Sequence, residues 1–454
     1  MKYSIASLFA GVGGICLGFK RASTNFNLTV ANEIDENAVK TYKANFNHSL
    51  IEGDIEKILE PQIFREEQEF IRNKYLNITS REPLSYEIKE LKKYKEAYDE
   101  LKKNYLTKVY ANGNICEFIL GKEDKILKRI SYTNLDAVKQ EIENKIVSDL
   151  YEELSDEYIE EKINEYSNKR SELLKEKIDI ITAGFPCQAF SIAGEQRGFN
   201  DHRGNLFYSV INYVNQLEAT HGNKPRILFL ENVKNLYSHD KGRTFLKIKE
   251  ELENTGYKIK AEVLNTYEYT SLPQNRERIF IICFLNEEDY EKFSFDNLKK
   301  HSKKNEEELR IEIENVLEIE NEDFYNQYSY TREKYPNYYN DEINLDRDIK
   351  EDHQFYQLRR GQYIRKNMSG VCPTLTANMG TGGHNVPLIL TSHGVRKLSP
   401  AECFNLQGFD VKNGRYILPG ISNGSLYKQA GNAVSVSLIE LLAKEIYQVL
   451  KNAE

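Results

Sequence analysis

A lone cysteine follows a proline in the stretch "ITAGFPCQAFSIAG", residues 181–194. The apolar start reads as a buried strand, and Cys187 lies just past its C-terminal end, where open α/β sheets place their ligands. A buried cysteine ordinarily acts as a small hydrophobe. Here the polar, glycine-punctuated surroundings favour an exposed, reactive thiol. We therefore interpret Cys187 as a candidate nucleophile, with space filling as the alternative.

An acidic residue and two arginines occupy similar positions. Glu231 in "LFLENVKNL" ends the next apolar strand, where a carboxylate is poorly explained by packing. Arg276 and Arg278 in "QNRERIFIICF" alternate before a strand, so both point to one side. The simpler alternative is surface charge at strand ends. Together the residues offer a nucleophile, an acid and cationic clamps at neighbouring strand ends.

A glycine-rich turn, "LFAGVGG" (residues 8–14), follows the first predicted strand and opens a helix. Glycines allow a sharp turn and close approach of a ligand. Glu33 ends the second strand, where an acidic side chain can hold ribose hydroxyls. Asp54 ends the third strand and can accept from an adenine amino group. The pattern predicts an adenosine site, although it is not the G-x-G-x-x-G of dinucleotide enzymes; a purely structural turn is the alternative.

Strands alternate with helices on both sides of a charged central segment, which predicts an α/β fold with a parallel sheet. "KIKAEVLN" and "RIFIICFL" look like neighbouring strands, and "SLIELLAKEIYQVL" like an amphipathic helix. Residues 60–177 are rich in Lys, Glu and Tyr, and their apolar residues recur at three- and four-residue steps. This spacing predicts a helical hairpin inserted into the α/β domain, or an arm that touches DNA or a partner.

Composition sets further bounds on the class of protein. The chain has 454 residues, a net charge of −8 and a pI of about 5.7, which disfavours a nucleic-acid partner unless a local basic patch opposes the average. No apolar run approaches the ~20 residues that span a bilayer. The six cysteines form no C-x-x-C pair, so we expect neither disulfides nor a metal site. A cytoplasmic protein is expected.

The ordered motifs resemble those of the C5-cytosine DNA methyltransferases, of the bacterial restriction-modification type. "SLFAGVGG", "NEID", "GDI" and "GFPCQAFSIAG" look like the family's cofactor and catalytic motifs. "ENV", "QNRERIF", "RKLSPAECFNLQGF" and "YKQAGNAVSV" follow in the family's order. Residues 60–177 and 286–350 fall outside any motif.

The resemblance implies a fold, a domain organisation and a cofactor. The fold is a Rossmann-like S-adenosylmethionine-dependent methyltransferase domain with a helical insertion and a smaller target-recognition domain. Its ranges would be 1–285 for the catalytic domain, containing the insertion at 60–177, then 286–395 for target recognition and 396–454 for the segment returning to the catalytic domain. The implied contacts to S-adenosylmethionine are Phe9, Gly11, Gly14, Glu33, Ile34, Asp54, Ile55, Phe185 and Asn432.

The resemblance also implies the reaction, methyl transfer to carbon 5 of a cytosine. Cys187 would add to carbon 6 of the ring. Glu231 would hold a proton at nitrogen 3, and Arg276 and Arg278 would contact the base oxygen and position the loop and phosphates. Because carbon 6 is unreachable in a stacked duplex, the cytosine must be flipped out.

Double-stranded DNA is the implied partner, read by residues 286–395. "QLRRGQYIRKN" supplies local positive charge, and "CPTLTANMGTGGHN" supplies hydroxyls and amides. For each arginine, phosphate contact without sequence meaning is the simpler interpretation. The candidate DNA contacts are Ser191, Arg203, Arg359, Arg360, Arg365 and Thr376.

Three alternatives stay open at this point. A transfer-RNA cytosine methyltransferase shares these motifs but has little target-recognition insert. A non-catalytic DNA-binding homologue conflicts with the intact chemical positions, and a nicotinamide-dependent oxidoreductase conflicts with the glycine spacing. We expect a monomer that contacts no membrane and that shares its DNA site with a restriction endonuclease.

Overall fold

The computed structural model describes residues 2–68, 106–111, 114–122, 125–131, 156–185, 206–302, 304–359, 361–381 and 385–451. The chain divides into two compact units. Met1–Leu59 and Lys169–Glu454 form the first, and Glu60–Asn168 forms the second. In the described ranges, no helix is both long enough and apolar enough to cross a membrane.

The described strands are named β1 to β14 in chain order. They are β1 (Tyr3–Leu8), β2 (Phe26–Glu33), β3 (Ser49–Glu52), β4 (Leu106–Ala111), β5 (Asn114–Lys122), β6 (Lys125–Ser131), β7 (Ile180–Ala183), β8 (Ile227–Val233), β9 (Lys258–Asn265), β10 (Glu277–Phe284), β11 (Tyr356–Arg359), β12 (Tyr363–Lys366), β13 (Leu388–Thr391) and β14 (Gly394–Lys397).

The described α-helices are named in the same way. They are α1 (Gly14–Ala22), α2 (Glu36–Lys43), α3 (Ile55–Leu59), α4 (Asp156–Leu173), α5 (Leu206–His221), α6 (Asn235–Ser238), α7 (Arg243–Asn254), α8 (Thr266–Tyr269), α9 (Glu287–Lys292), α10 (Glu306–Val316), α11 (Glu322–Tyr328), α12 (Leu345–Asp348), α13 (Pro400–Leu406), α14 (Asn423–Asn432) and α15 (Val436–Lys451). Residues 62–68 are also helical.

A seven-stranded sheet forms the centre of the first unit, in the order β3-β2-β1-β7-β8-β10-β9. The first five strands are parallel, and β10 runs antiparallel to both β8 and β9. The predicted α/β class and the neighbouring strands β9 and β10 are thus confirmed. Because β10 is antiparallel, its N-terminal end lies at the same sheet edge as the C-terminal ends of the parallel strands.

One large core packs against this sheet. The amphipathic helix α15 presents Leu438, Ile439, Leu442 and Ile446 to it, all fully buried. Phe19 of α1 meets Phe229 of β8 edge-on, with ring centroids 5.3 Å apart. Helix α15 therefore packs in the same hydrophobic core as β1 and α1.

The second unit contains a three-stranded antiparallel sheet in the order β4-β5-β6. A purely helical insertion over 60–177 is therefore wrong: strands occupy Leu106–Ser131, and helix α4 begins only at Asp156. The reason lies in the local sequence, because "LTKVYA" and "ICEFIL" are rich in β-branched and aromatic residues and flank an Asn-Gly pair, a strong hairpin signal. The helical stripes predicted at 91–105 and 135–150 lie outside the described residues.

Residues 286–395 belong to the first unit. They nevertheless contribute to a sheet of their own, β12-β11-β13-β14. A small core supports it, in which Tyr330 stacks on Tyr335 with centroids 4.1 Å apart and Leu345 and Leu388 are buried. The boundaries predicted for a separate target-recognition domain stay a prediction.

Candidate active site

The glycine-rich turn follows β1 at the C-terminal edge of the sheet. Phe9, Gly11 and Gly13 have φ angles of 54°, 55° and 80°, the left-handed region that glycine adopts most easily. A Cβ at Gly11 would meet nothing within 4 Å, whereas one at Gly13 would lie 2.3 Å from the ring of Phe46. The turn is thus open at Gly11 and tightly packed at Gly13. Gly14 is also packed, against Val434.

Glu33 joins this turn to the end of β2. Its Oε2 accepts from the Gly11 N–H at 2.6 Å, and its Oε1 accepts from Ile34 N–H and Asp35 N–H at 2.9 and 2.8 Å. A carboxylate has about four acceptor positions, so capacity for a ribose hydroxyl is left. Glu33 was predicted to hold a ligand, and the structure adds a second role in shaping the turn.

Other predicted cofactor residues surround the same edge. Ile34 is 64% exposed and offers an apolar surface beside Glu33. Asp54 Oδ1 accepts from Glu56 N–H at 3.0 Å at the start of α3, where Ile55 is buried. Asp54 therefore acts at least as a helix cap. Asn432 is exposed at the end of α14.

A hydrogen bond that the sequence did not reveal holds the chain just before Cys187. Asn232 Nδ2 donates to the Phe185 carbonyl at 2.8 Å, and both residues are buried. Phe185 also packs on Phe207, with centroids 5.7 Å apart. The motif "ENV" was the available signal, since its Asn is buried directly after Glu231. Asn232 thus fixes the backbone at Phe185, two residues before Cys187 in the sequence.

Glu231 and Arg278 face each other across β8 and β10. Arg278 Nε lies 3.1 Å from Glu231 Oε1. That oxygen is buried and accepts no hydrogen bond from the described residues, so the contact is an ion pair without an aligned N–H. Burial raises the pKa of Glu231, and Arg278 and Arg276 oppose the rise. A raised pKa favours the protonated carboxyl, which can donate a hydrogen bond.

Arg276 binds backbone carbonyls that the sequence alone could not indicate. Its side chain is buried and donates to three carbonyls: Nη1 to Leu375 at 2.9 Å, and Nη2 to Gly431 and Ala433 at 3.2 and 2.6 Å. The guanidinium is enclosed and its Nη groups are engaged, so a positioning role fits this geometry, and a contact of Arg276 with the base stays a prediction. Arg276 joins segments that are distant in sequence, which alternation before a strand cannot reveal.

The candidate DNA contacts are only partly described. Cys187, Ser191, Arg203 and Arg360 lie outside the described residues. Arg359 is half-buried at the end of β11, and exposed Arg365 donates from Nη2 to Gln357 Oε1 at 2.7 Å. Thr376 is exposed, directly before a short 3-10 helix at Ala377–Thr381. These three stay predictions as DNA contacts.

The four described cysteines differ from what a nucleophile requires. Cys16, Cys283, Cys372 and Cys403 are all buried, and burial raises the pKa of each thiol. A thiolate is the reactive form, so none of these four suits nucleophilic catalysis. Within the described ranges, no group of three or more His, Cys, Asp or Glu residues could hold a metal ion.

The parallel sheet, the glycine-rich turn and the Glu33 carboxylate together define an S-adenosylmethionine-dependent methyltransferase. The donor set fits this cofactor, since the turn is open at Gly11 and Glu33 retains acceptor capacity for a ribose. The chain belongs to the family described as C-5 cytosine-specific DNA methylase, whose model matches residues 3–72 and 127–448. The family predicted from the sequence is confirmed.

Individual relatives agree with this assignment. The chain is 44% identical over 271 residues to the type II methyltransferase M.Bsp6I of Bacillus sp. (strain RFL6), covering 60% of this chain and 79% of the relative. It is 33% identical over 286 residues to the type II methyltransferase M.HpaII of Haemophilus parainfluenzae, covering 62% and 74%.

Solved structures support the fold alone. The S. pombe Dnmt2 methyltransferase has 14% identity and a TM-score of 0.52, and the Entamoeba histolytica methyltransferase EhMeth has 16% identity and a TM-score of 0.50. Each comparison covers 99% of both chains.

Proposed function

We propose that this chain methylates carbon 5 of a flipped-out cytosine in a short duplex DNA sequence, with Cys187 as the nucleophile and Glu231 and Arg278 as its partners. The observation that carries the assignment is the Glu231–Arg278 pair. It combines a buried carboxyl of raised pKa with a cation 3.1 Å away, at the sheet edge that also holds Glu33.

The cytosine ring needs activation because its carbon 5 is a weak nucleophile. The Cys187 thiolate adds to carbon 6, forming a C–S bond and moving the ring electrons toward carbon 5. Glu231 donates a proton at nitrogen 3, which neutralises the charge that develops on the ring. Arg278 contributes positive charge beside the base oxygen. S-adenosylmethionine, when bound, supplies the methyl group, and Glu33 with the turn at Gly11 holds its adenosine part.

The ring regains aromaticity after transfer. The proton on carbon 5 is removed by a base, the C–S bond breaks, and Cys187 leaves as a thiolate. Water is the base that accepts the proton from carbon 5, and nitrogen 3 returns its proton to Glu231, so the carboxyl and the thiolate are both restored.

Duplex DNA carrying 5-fluorocytosine tests this chemistry directly. Fluorine at carbon 5 cannot leave as a proton does, so the Cys187 adduct should survive denaturation. Cys187→Ala should form no adduct and transfer no methyl group, whereas the control Cys283→Ala, a buried cysteine of β10, should do both. An adduct or methyl transfer by Cys187→Ala would contradict the mechanism.

The target and setting complete the proposal. The similarity to type II methyltransferases supports a role in restriction-modification, in which a cognate endonuclease cuts the same DNA site. The protein acts as a monomer in the bacterial cytoplasm, and it is located at the nucleoid when it is bound to DNA. Bisulfite mapping of DNA methylated by the purified protein would identify the site. Parallel assays on transfer RNA should give no methylation, and a preference for transfer RNA would overturn the DNA assignment.

A further inference from the structure

Helix α14 contacts both α2, which follows the predicted cofactor residues, and the segment Thr374–Thr381. On one side, Lys428 Nζ pairs with Asp35 Oδ2 at 2.8 Å, and Gln429 Oε1 accepts from Thr41 Oγ1 at 2.8 Å. Asp35 directly follows the cofactor residues Glu33 and Ile34. The helix is thereby anchored to α2 at the cofactor edge of the sheet.

On its other side, α14 touches the segment Thr374–Thr381 without intervening side chains. A Cβ at Gly431 would lie 2.1 Å from the Thr376 carbonyl carbon, and a Cβ at Gly380 would lie 2.4 Å from the Gly424 carbonyl oxygen. Real Cβ atoms do not approach backbone this closely, so the two backbones can meet only because both positions are glycine.

Buried Arg276 holds this contact in place. Its guanidinium bonds the Leu375 carbonyl on one side and the Gly431 and Ala433 carbonyls on the other. Burial lowers the pKa of Arg276 well below its usual range, and its three carbonyl partners offset part of the cost of burying it. The hydrogen bonds of Arg276 and the two glycines therefore fix the same contact, between α14 and the segment Thr374–Thr381. Exposed Thr376 belongs to that segment.

We propose that Gly431 and Gly380, together with Arg276, are positioning residues that set the height of the Thr374–Thr381 segment above α14 and so aim it at DNA. The inference rests on the proposed function, methylation of duplex DNA by this chain. A Cβ at either glycine must lift the segment by more than a few tenths of an ångström, because the atoms it meets include backbone. A shift of that size is enough to break hydrogen bonds to base edges.

The test compares Gly431→Ala and Gly380→Ala with Gly420→Ala, whose Cβ would meet nothing within 4 Å. The probes are a duplex carrying the mapped site, the same duplex with one base pair changed, and S-adenosylmethionine. We expect Gly431→Ala and Gly380→Ala to raise the Kd for the cognate duplex about tenfold, the size of one lost base contact. The ratio of the Kd for the changed duplex to the Kd for the cognate duplex should also become smaller. The Kd for S-adenosylmethionine should stay within about twofold of the parent in Gly380→Ala, which meets α14 from the DNA side.

Three other results would contradict the proposed positioning role. Unchanged DNA affinity and discrimination in Gly380→Ala would overturn the inference, as would an equal loss in Gly420→Ala or a loss confined to cofactor binding. If Gly431→Ala fails to fold, Gly380→Ala alone carries the test. Thr376→Ala separates the two proposals: if it binds DNA normally while Gly380→Ala does not, positioning of the segment stands and the Thr376 contact is wrong.

Discussion

Arg278 Nε lies 3.1 Å from Glu231 Oε1, although the two residues are 47 positions apart in the chain. The antiparallel pairing of β8 and β10 sets Arg278 opposite Val233 and Phe280 opposite Glu231. A buried acid and its cation therefore share one sheet edge. This pair determines the protonation state on which the proposed chemistry depends.

Glu231→Gln should lower kcat by about 10²- to 10⁴-fold, the usual contribution of a positioned general acid. The amide keeps the shape but cannot give a proton to the ring. Methyl transfer from labelled S-adenosylmethionine to duplex DNA measures the effect. Glu262→Gln, an exposed substitution on β9, should retain parent activity. Equal activity in the two variants would remove Glu231 from the mechanism.

Arg278→Gln should move the alkaline limb of the kcat/KM profile to higher pH. Burial raises the pKa of Glu231 and Arg278 is the stronger of the two cations that lower it, so losing Arg278 raises this pKa further. The protonated form that donates then persists to higher pH. Lys234→Gln, whose ammonium pairs with Glu277, is the control and should leave the limb in place. A limb that stays fixed or moves to lower pH in Arg278→Gln would contradict the assignment.

The cofactor turn rests on a titratable side chain. Tyr42 packs beneath Gly13, and its hydroxyl lies 2.7 Å from His48 Nε2. Burial, with a smaller effect of Lys20, lowers the pKa of His48 to about 4. Folding therefore favours the neutral imidazole, whereas the unfolded chain takes up a proton near pH 6.5.

The free energy of unfolding should consequently fall between pH 6.5 and pH 4. His48 contributes about 1–2 kcal/mol to this fall, after discounting for its partial exposure. Urea unfolding of His48→Gln should show a shallower pH dependence than the parent. His301→Gln, which removes an exposed imidazole, should keep the parent slope. A parent slope in His48→Gln would show that the imidazole is not the titrating group.

A fully buried ion pair joins Arg396 of β14 to Glu402 of α13. Arg396 Nη2 and Nη1 lie 2.7 and 2.8 Å from Glu402 Oε1 and Oε2, with both side chains 0% exposed. Glu402 also completes a capping box with Ser399 at the start of α13. The pair joins the four-stranded sheet β12-β11-β13-β14 to helix α13.

Glu402→Gln should lower the free energy of unfolding by about 3–5 kcal/mol, because it leaves a buried guanidinium without its counter-charge. Glu288→Gln breaks an exposed pair with Lys292 and should cost less than about 1 kcal/mol. Equilibrium unfolding in urea compares the two. A cost for Glu402→Gln no larger than that of the control would show that the buried arginine finds other compensation.

Much of the fold and site could be predicted because the signals are local. The strand before Glu231 is a continuous apolar run, and α15 has a clear helical period. The glycine-rich turn is likewise readable from one short stretch. The sheet at Leu106–Ser131 was missed, because a charge-rich segment with helical spacing on either side obscured short β-branched runs.

The sequence alone predicts which residues follow successive strands, because the C-terminal ends of parallel strands lie at one edge of the sheet. Which contacts each of those side chains makes depends on the tertiary structure. Arg276 and Arg278 alternate in sequence, yet one is enclosed by carbonyls of three distant residues and the other faces Glu231. Such partners are more than 40 residues away, so no local pattern could distinguish the two arginines.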